Sequence, residues 1–267
     1  MEPAGPSAWR RLGLWAAAAK RLSRLVPLRA VLTSGIHGGE CPICERGTVF
    51  VKGGTWLRDQ YYCARCLSIP RFRALVRVLG ERFPAWRDMD VHESSPAGAS
   101  SEKIARECRR YTPSHFFPDV DPGVVHGGYR CENLERQTFA DASFDLVITQ
   151  DVFEHVLDPR AAFAEVARTL RPGGAHVFTV PWYYWKPTLV RARRENGRVV
   201  HDCPPDYHGN PIDTRGSLVV TEWGFELLDR IERWTGMRTT VEHIFDARQG
   251  ICGEFGEVFV SEKAGNR

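Results

Sequence analysis

The chain has 267 residues, of which 43% are apolar and 26% charged, with a formal net charge of +3. That is enough for one full α/β core and a small satellite module, and too nearly neutral to demand a polyanionic partner. No stretch approaches the roughly 18 uninterrupted apolar residues that cross a bilayer, so no transmembrane segment is expected and the chain is placed in the cytoplasm.

Residues 1–36 are a basic segment in which Arg10, Arg11, Lys20, Arg21, Arg24 and Arg29 oppose a single acid, Glu2, around Leu12, Trp15, Leu22 and Leu25. A basic start followed by a short apolar run imitates an export signal. The cations directly after the alanines and the lack of a convincing cleavage site argue against that reading. Two readings remain: a solvated helix packed on the body, or a basic amphipathic element making peripheral contact with a membrane surface or an acidic partner.

Residues 37–70 carry Cys41-Pro42-Ile43-Cys44 and Cys63-Ala64-Arg65-Cys66, two knuckles with 18 residues between them. This spacing suits a four-thiolate zinc site, because two residues between ligands let one tight turn aim both sulfurs at a tetrahedral ion. Thr48 to Val51 and Gln60 to Tyr62 alternate like short strands around Gly53-Gly54, which gives a zinc-ribbon pattern. A pair of disulfides is the competing reading, suited to a secreted chain, and nothing else marks this one as secreted. Cys108, Cys131 and Cys252 are scattered and read as ordinary buried thiols, whereas Cys203 stands apart in a polar loop beside His201 and Asp202. Arg65, Arg71, Arg73 and Arg77 interleave with Trp56, Tyr61, Tyr62 and Phe72. Such a set can hold RNA, or can cap a neighbouring domain with Phe72 to Leu79 as a helix.

Further along, a strand is predicted over Asp90 to Glu93, then the turn Glu93-Ser94-Ser95-Pro96-Ala97-Gly98 and a helix from Ser100 to Arg109. Strands follow over Tyr111 to Phe117 and around Tyr129 to Cys131. Phe144 to Gln150 is an apolar run that reads as a strand buried on both faces, with Gln150, Asp151, Glu154 and His155 at its carboxyl end. A short helix, the turn Leu170-Arg171-Pro172-Gly173-Gly174 and a second buried strand complete a strand–crossover–strand unit, which places ligands at the carboxyl ends of its strands. Residues 182–218 read as a long irregular excursion that opens on Pro181-Trp182-Tyr183-Tyr184-Trp185 and is densest in polar groups at Tyr207-His208-Gly209-Asn210-Pro211. Such segments tend to be functional lids. A helix is predicted from Glu222 to Trp234, with Phe225, Leu228 and Ile231 on one face and Gly236 as its stop. Strands over Thr239 to Phe245 and Glu257 to Val260 close the sheet.

Phe139-Ala140-Asp141-Ala142-Ser143-Phe144-Asp145, then Glu154-His155-Val156, then Leu170 to Gly174, taken in order, resemble the class I S-adenosylmethionine-dependent methyltransferases of the type-11 kind. The likeness covers roughly residues 88–262. It implies a Rossmann-like, seven-stranded α/β sheet flanked by helices over residues 71–265, with an inserted antiparallel last strand and S-adenosyl-L-methionine as cofactor. The family's glycine-rich turn is reduced here to Gly98, although small residues and the helix N-terminus still let backbone N–H groups approach a carboxylate.

By that resemblance Glu93, Ser94, Ser95, Ala97 and Gly98 take the amino-acid end of the cofactor. Asp119 takes the ribose in place of a strand-terminal acid that aligns with His115. Asn133, with Glu132 beside it, takes the adenine amino group, and Gln150 and Asp151 line the space where donor and acceptor meet. His155 and His208 are the candidate bases, since a neutral imidazole can take a proton from a hydroxyl or amine. Bracing of the loop by Glu154 and His155 is the alternative. The expected reaction is methyl transfer to an oxygen or nitrogen of a small-molecule, carbohydrate or lipid acceptor, with RNA also open. The rival reading is a zinc-ribbon RNA-binding module on a catalytically silent scaffold.

Overall fold

Residues 35–209 and 215–265 are described in a computed structural model of the chain. The expectations for residues 1–34 and for Asn210 and Pro211 lie outside them. Two compact units are present: residues 35–82 with 98–103 and 243–257, and residues 83–97 with 104–242 and 258–265. The unit that holds the cysteine knuckles therefore takes in more chain than the contiguous span 37–70.

In that first unit β1 (Ile36–Cys41), β2 (Arg46–Lys52) and β3 (Tyr61–Cys63) form an antiparallel sheet in that order. Between the last two lies a single turn of helix, α1 (Leu57–Gln60), and after them comes α2 (Pro70–Arg82). Pro70 opens α2, where a missing N–H costs nothing. Ile43, Phe50, Tyr61, Ile69, Phe72, Val76 and Cys252 make its apolar cluster. Gly250, at φ +65°, sits against the Phe50 ring, where a Cβ would come within 2.6 Å. No larger residue fits that turn.

The second unit is built on an eight-stranded sheet. Its elements are β4 (Asp90–Ser94), α3 (Gly98–Glu107), β5 (Arg110–His115), β6 (Val125–His126), β7 (Tyr129–Cys131), β8 (Phe144–Gln150), α4 (Pro159–Thr169) and β9 (Leu170–Thr179). After the intervening segment come α5 (Leu227–Thr235), β17 (Arg238–Glu242) and β18 (Val258–Glu262). The strand order is β17-β18-β9-β8-β4-β5-β7-β6. Strands β7, β5, β4, β8 and β9 run parallel, and β18 is inserted antiparallel between β9 and β17. The seven expected strands are all present, and the two-residue β6 adds an eighth at one edge.

Local chemistry explains the elements. In β8 every residue except Asp145 is buried, as a central parallel strand covered on both faces requires. Asp158 caps α4 by accepting from the Ala161 N–H at 3.0 Å, and Pro159 occupies its first turn. Gly236, at φ 72°, ends α5 in the left-handed conformation. Phe153, Phe163, Phe178, Trp223 and Phe259 form the centre of the core, each fully buried. Asp145, at the start of β8, accepts from the Asp90 N–H and pairs with Arg171 at 2.9 Å, a structural role as expected.

Several expected boundaries are corrected. Helix α3 starts two residues earlier than predicted, and β5 stops at His115 because Phe116 and Phe117 turn away into a Pro118-containing loop. Leu170 to Gly174 enters β9 directly, with Gly173 at φ 82°, and does not form a separate helix stop. The described residues of 182–218 are not irregular throughout. They form short strands β10 (Trp182–Tyr183), β11 (Leu189–Val190), β12 (Ala192–Glu195), β13 (Arg198–His201), β14 (Tyr207–His208) and β15 (Ser217–Leu218). The predicted helix from Glu222 begins only at Leu227. Thr221–Gly224 is instead β16, paired with β10 and β11, and Phe225 is 53% exposed. Strand pairing outweighs the three-residue apolar spacing there. Among the described residues no helix is long and apolar enough to cross a membrane.

Candidate functional site

The four knuckle cysteines converge. Cys41 Sγ lies 3.7 Å from Cys66 Sγ, and Cys44 Sγ lies 3.9 Å from Cys63 Sγ. For a metal–sulfur distance of about 2.3 Å the edge of a tetrahedron is about 3.8 Å, so the cluster has the size of a tetrathiolate site. The two turns match each other: the N–H of Glu45 donates to Cys41 O and that of Leu67 to Cys63 O, and both residues have positive φ. Hydroxyls support the sulfurs, with Ser68 Oγ 3.2 Å from Cys66 Sγ and Thr48 Oγ1 3.3 Å from Cys63 Sγ. Hydrogen bonding to the Cys41 thiol holds Cys66 down to about 6 and Cys63 lower still, whereas the same partner pushes Cys44 up. Cys41, Cys44, Cys63 and Cys66 could together hold one metal ion. All four thiols are free, which excludes the disulfide reading in this structure.

Several of the basic and aromatic residues around the knuckles are committed to internal bonds, while Trp56 and Arg65 are exposed. Arg73 is fully buried, and its guanidinium donates to the carbonyls of Tyr61, Ser68 and Gly250 while stacking on Phe50. Arg71 pairs with Asp59 at 2.6 Å, Arg77 with Asp246 at 2.9 Å, and Arg65 donates to Gly47 O. Phe72 lies so close to Gly98 that a Cβ there would meet its ring at 2.4 Å, which accounts for the one glycine left in the turn.

In the sheet unit the direction of strand addition reverses between β4 and β8, which have β5 and β9 on their outer sides. The candidate residues gather at the carboxyl ends of this pair. Glu93 is fully buried and accepts from Tyr111 OH at 2.7 Å and from Gln150 Nε2 at 2.9 Å. Burial, and then the Glu93 charge, drive the Tyr111 phenol well above its ordinary range, so it stays a donor. Two non-glycine residues with positive φ end these strands: Ser95 at 56° and Asp151 at 52°. Asp151 accepts from Thr179 Oγ1 at 2.8 Å, and the Ser95 N–H donates to Ser114 O. Such conformations persist only where the surroundings impose them, and they concentrate at binding sites. Ser94 is buried within β4, and Ala97 is the extended residue before α3.

The remaining positions divide. Glu132 is buried and already accepts from Arg130 Nε at 2.6 Å and Thr138 N at 2.7 Å, whereas Asn133 uses its side-chain oxygen to accept from the Glu135 N–H at 2.9 Å. The end of β5 is His115, whose ring stands edge-on to Tyr129, and Asp119 is exposed in the turn beyond it.

His155 and His208, 53 residues apart in sequence, are brought together with ring centroids 5.2 Å apart and planes perpendicular. Between them stands the buried Glu154, whose Oε1 is 3.8 Å from His155 Nε2 and 3.9 Å from His208 Nδ1. His155 Nδ1 lies 2.8 Å from Leu218 O, so this nitrogen carries the proton and Nε2 presents its lone pair. Burial lowers the His155 pKa and keeps the ring neutral. Glu154 and His155 thus do more than brace their own loop: they face a residue from the distant β14.

Residues missed in sequence are Tyr111, which holds Glu93, and Gly216. At φ +82°, Gly216 has no room for a Cβ, which would come within 2.6 Å of His208 O. The first gave no signal, because pairing of β4 with β5 brings together residues 18 positions apart. The second was visible only as a glycine beside a polar cluster.

Residues 97–178 match the family described as Methyltransferase domain. Over 105 residues the chain is 49% identical to a dimethylglycine N-methyltransferase of Parasynechococcus marenigrum, covering 38% of this chain and 32% of that protein. Over 46 residues it is 44% identical to a ubiquinone biosynthesis O-methyltransferase of Parvibaculum lavamentivorans, covering 17% and 18% respectively. The chain thus spans less than a third of the length of these curated relatives. Among solved structures, an S-adenosylmethionine-dependent methyltransferase from Mesorhizobium loti is similar at TM-score 0.48 and 16% identity, with 71% of this chain and 98% of that one covered. Residues 97–178 are thus similar to a methyltransferase domain, and the sheet order with its inserted antiparallel strand is the one that the sequence resemblance implied.

Proposed function

We propose that this chain transfers a methyl group from S-adenosylmethionine to an oxygen or nitrogen of a small-molecule, carbohydrate or lipid acceptor. The carrying observation is the convergence of Glu93, Ser95, Gln150 and Asp151 at the point where the strand order reverses, the place where open α/β sheets bind ligands. When bound, S-adenosylmethionine supplies a methyl group already activated by its positive sulfur, so the protein's task is alignment and exclusion of water.

Glu93 is oriented by Tyr111 and Gln150, and in this reading it faces the donor's amino group. The turn through Ser94, Ser95, Ala97 and Gly98 offers N–H groups at the start of α3 to the donor's carboxylate. Asn133 and Glu132 serve the adenine end and Asp119 the ribose. The acceptor lies toward His155 and His208, which orient it and take up its proton. Zinc occupies the four-cysteine cluster in a structural role, on the strength of its sulfur spacing. The inward commitment of Arg71, Arg73 and Arg77 favours these acceptors over RNA.

Calorimetry with S-adenosylmethionine and S-adenosylhomocysteine tests the reading. One binding event per chain for each, weakened at least tenfold by Glu93→Gln, is expected. Absence of heat with both, alongside RNA binding of steep salt dependence, would overturn it in favour of a silent RNA-binding scaffold.

A further inference from the structure

Apart from the cysteine cluster, Glu154, His155 and His208 are the only group among the described residues whose potential metal-ligating atoms lie together, all within 4.8 Å. Each separation to Glu154 Oε1, 3.8 and 3.9 Å, is too long for a hydrogen bond and short enough for one ion to touch both atoms. Two imidazoles and a carboxylate form the donor set that first-row divalent metals favour, and three protein ligands leave coordination positions open.

The surroundings meet the further demands of a metal site. A ligating histidine almost always donates its second ring N–H to a carbonyl or carboxylate, and His155 does so to Leu218 O. That bond points Nε2 toward Glu154. His208 is held on β14, whose backbone at that residue pairs with Ser217, and Gly216 fits closely under His208 O. The Asp151 carboxylate adds negative charge near His155. The Glu154 side chain is 2% exposed, so a charge it shares with an ion there is little screened by solvent.

We infer that Glu154, His155 and His208 bind a divalent first-row transition-metal ion, separate from the four-cysteine site. Where the methyl-transfer reading also holds, the ion would take the place of the histidines as the group that holds and activates the acceptor, and would select acceptors whose reacting group is an oxygen able to coordinate it. Metal uptake itself is independent of that reading, because it is measured without any methyl donor.

The test is a titration of the full chain with Co2+ after loading with one equivalent of zinc, which the thiolates take first. We expect one further Co2+ per chain, with a visible d–d spectrum and no thiolate charge-transfer band, as nitrogen and oxygen donors give. Affinity should fall at least tenfold in His208→Ala and in Glu154→Gln, with His126→Ala unchanged. His208 is 43% exposed, so its truncation leaves the fold intact, and circular dichroism verifies this for Glu154→Gln. No Co2+ uptake by the zinc-loaded chain, or one Co2+ held equally well by both variants, overturns the site even if donor binding is normal.

Discussion

In the four-cysteine unit the buried positions include thiols, hydroxyls and the Arg73 guanidinium, whereas the sheet unit centres on Phe153, Phe163, Phe178, Trp223 and Phe259. The first unit is small, with a three-stranded sheet and one long helix, and its interior is held by directional bonds at fixed points. The second spreads its stability over many interchangeable apolar contacts. A small core must therefore concentrate its stability in a few atoms, and losing one of them is correspondingly severe.

The sharpest way to break this comparison is to remove the zinc proposed for the four cysteines. Structural zinc contributes on the order of 10 kcal/mol, so chelation or Cys63→Ser should abolish hydrogen-exchange protection of the β1, β2 and β3 amides and leave β8 and β9 protected. Equal loss in both sheets would show that the units do not differ as argued. Next is Phe163→Ala, which should cost about 3–5 kcal/mol of sheet-unit stability, read as a lowered urea midpoint. Arg73→Met leaves the carbonyls of Tyr61, Ser68 and Gly250 without their shared donor and should cost about 2–3 kcal/mol in the ribbon unit. Arg73→Lys should rescue little of it, because an ammonium cannot reach three separated acceptors in one plane.

The mildest test is acid. Burial depresses His92 and His176 to about 3, and their Nε2 atoms meet Ser114 Oγ and Thr149 Oγ1. Their unfolded forms bind protons near pH 6.5, so the folded state is favoured above that pH and loses stability as pH falls from 6.5 toward 3. Between pH 6.5 and 5.5 the loss is about 1 kcal/mol per histidine, and His176→Gln should flatten this limb of a stability-against-pH curve.

The same contrast governs what could be read from sequence. The cysteine ligands were legible because tetrahedral geometry forces a local two-residue spacing. Strands β8 and β9 were legible because burial on both faces leaves an unbroken apolar run. The two-residue strands of 182–218 carry no period to detect. Strand β16 was hidden because Phe225, Leu228 and Ile231 imitate the face of a helix starting at Glu222, and only pairing with β10 and β11 decides otherwise. At the candidate site, Glu93, Gln150 and Asp151 were found from their place at strand ends. The grip of Tyr111 on Glu93 and the approach of His208 to His155 depend on strand register and long-range loop closure, which no local pattern encodes.

Strand β18 is inserted between β9 and β17, although it follows both in sequence. During synthesis, β17 therefore leaves the ribosome with no place to dock, and the hydrogen-bonding rim of β9 stays bare until residue 262 has emerged. An open rim of that kind recruits other strands, so the nascent chain passes through a stage at which a chaperone or slow growth protects it. The sheet is finished from within, by its last-made strand.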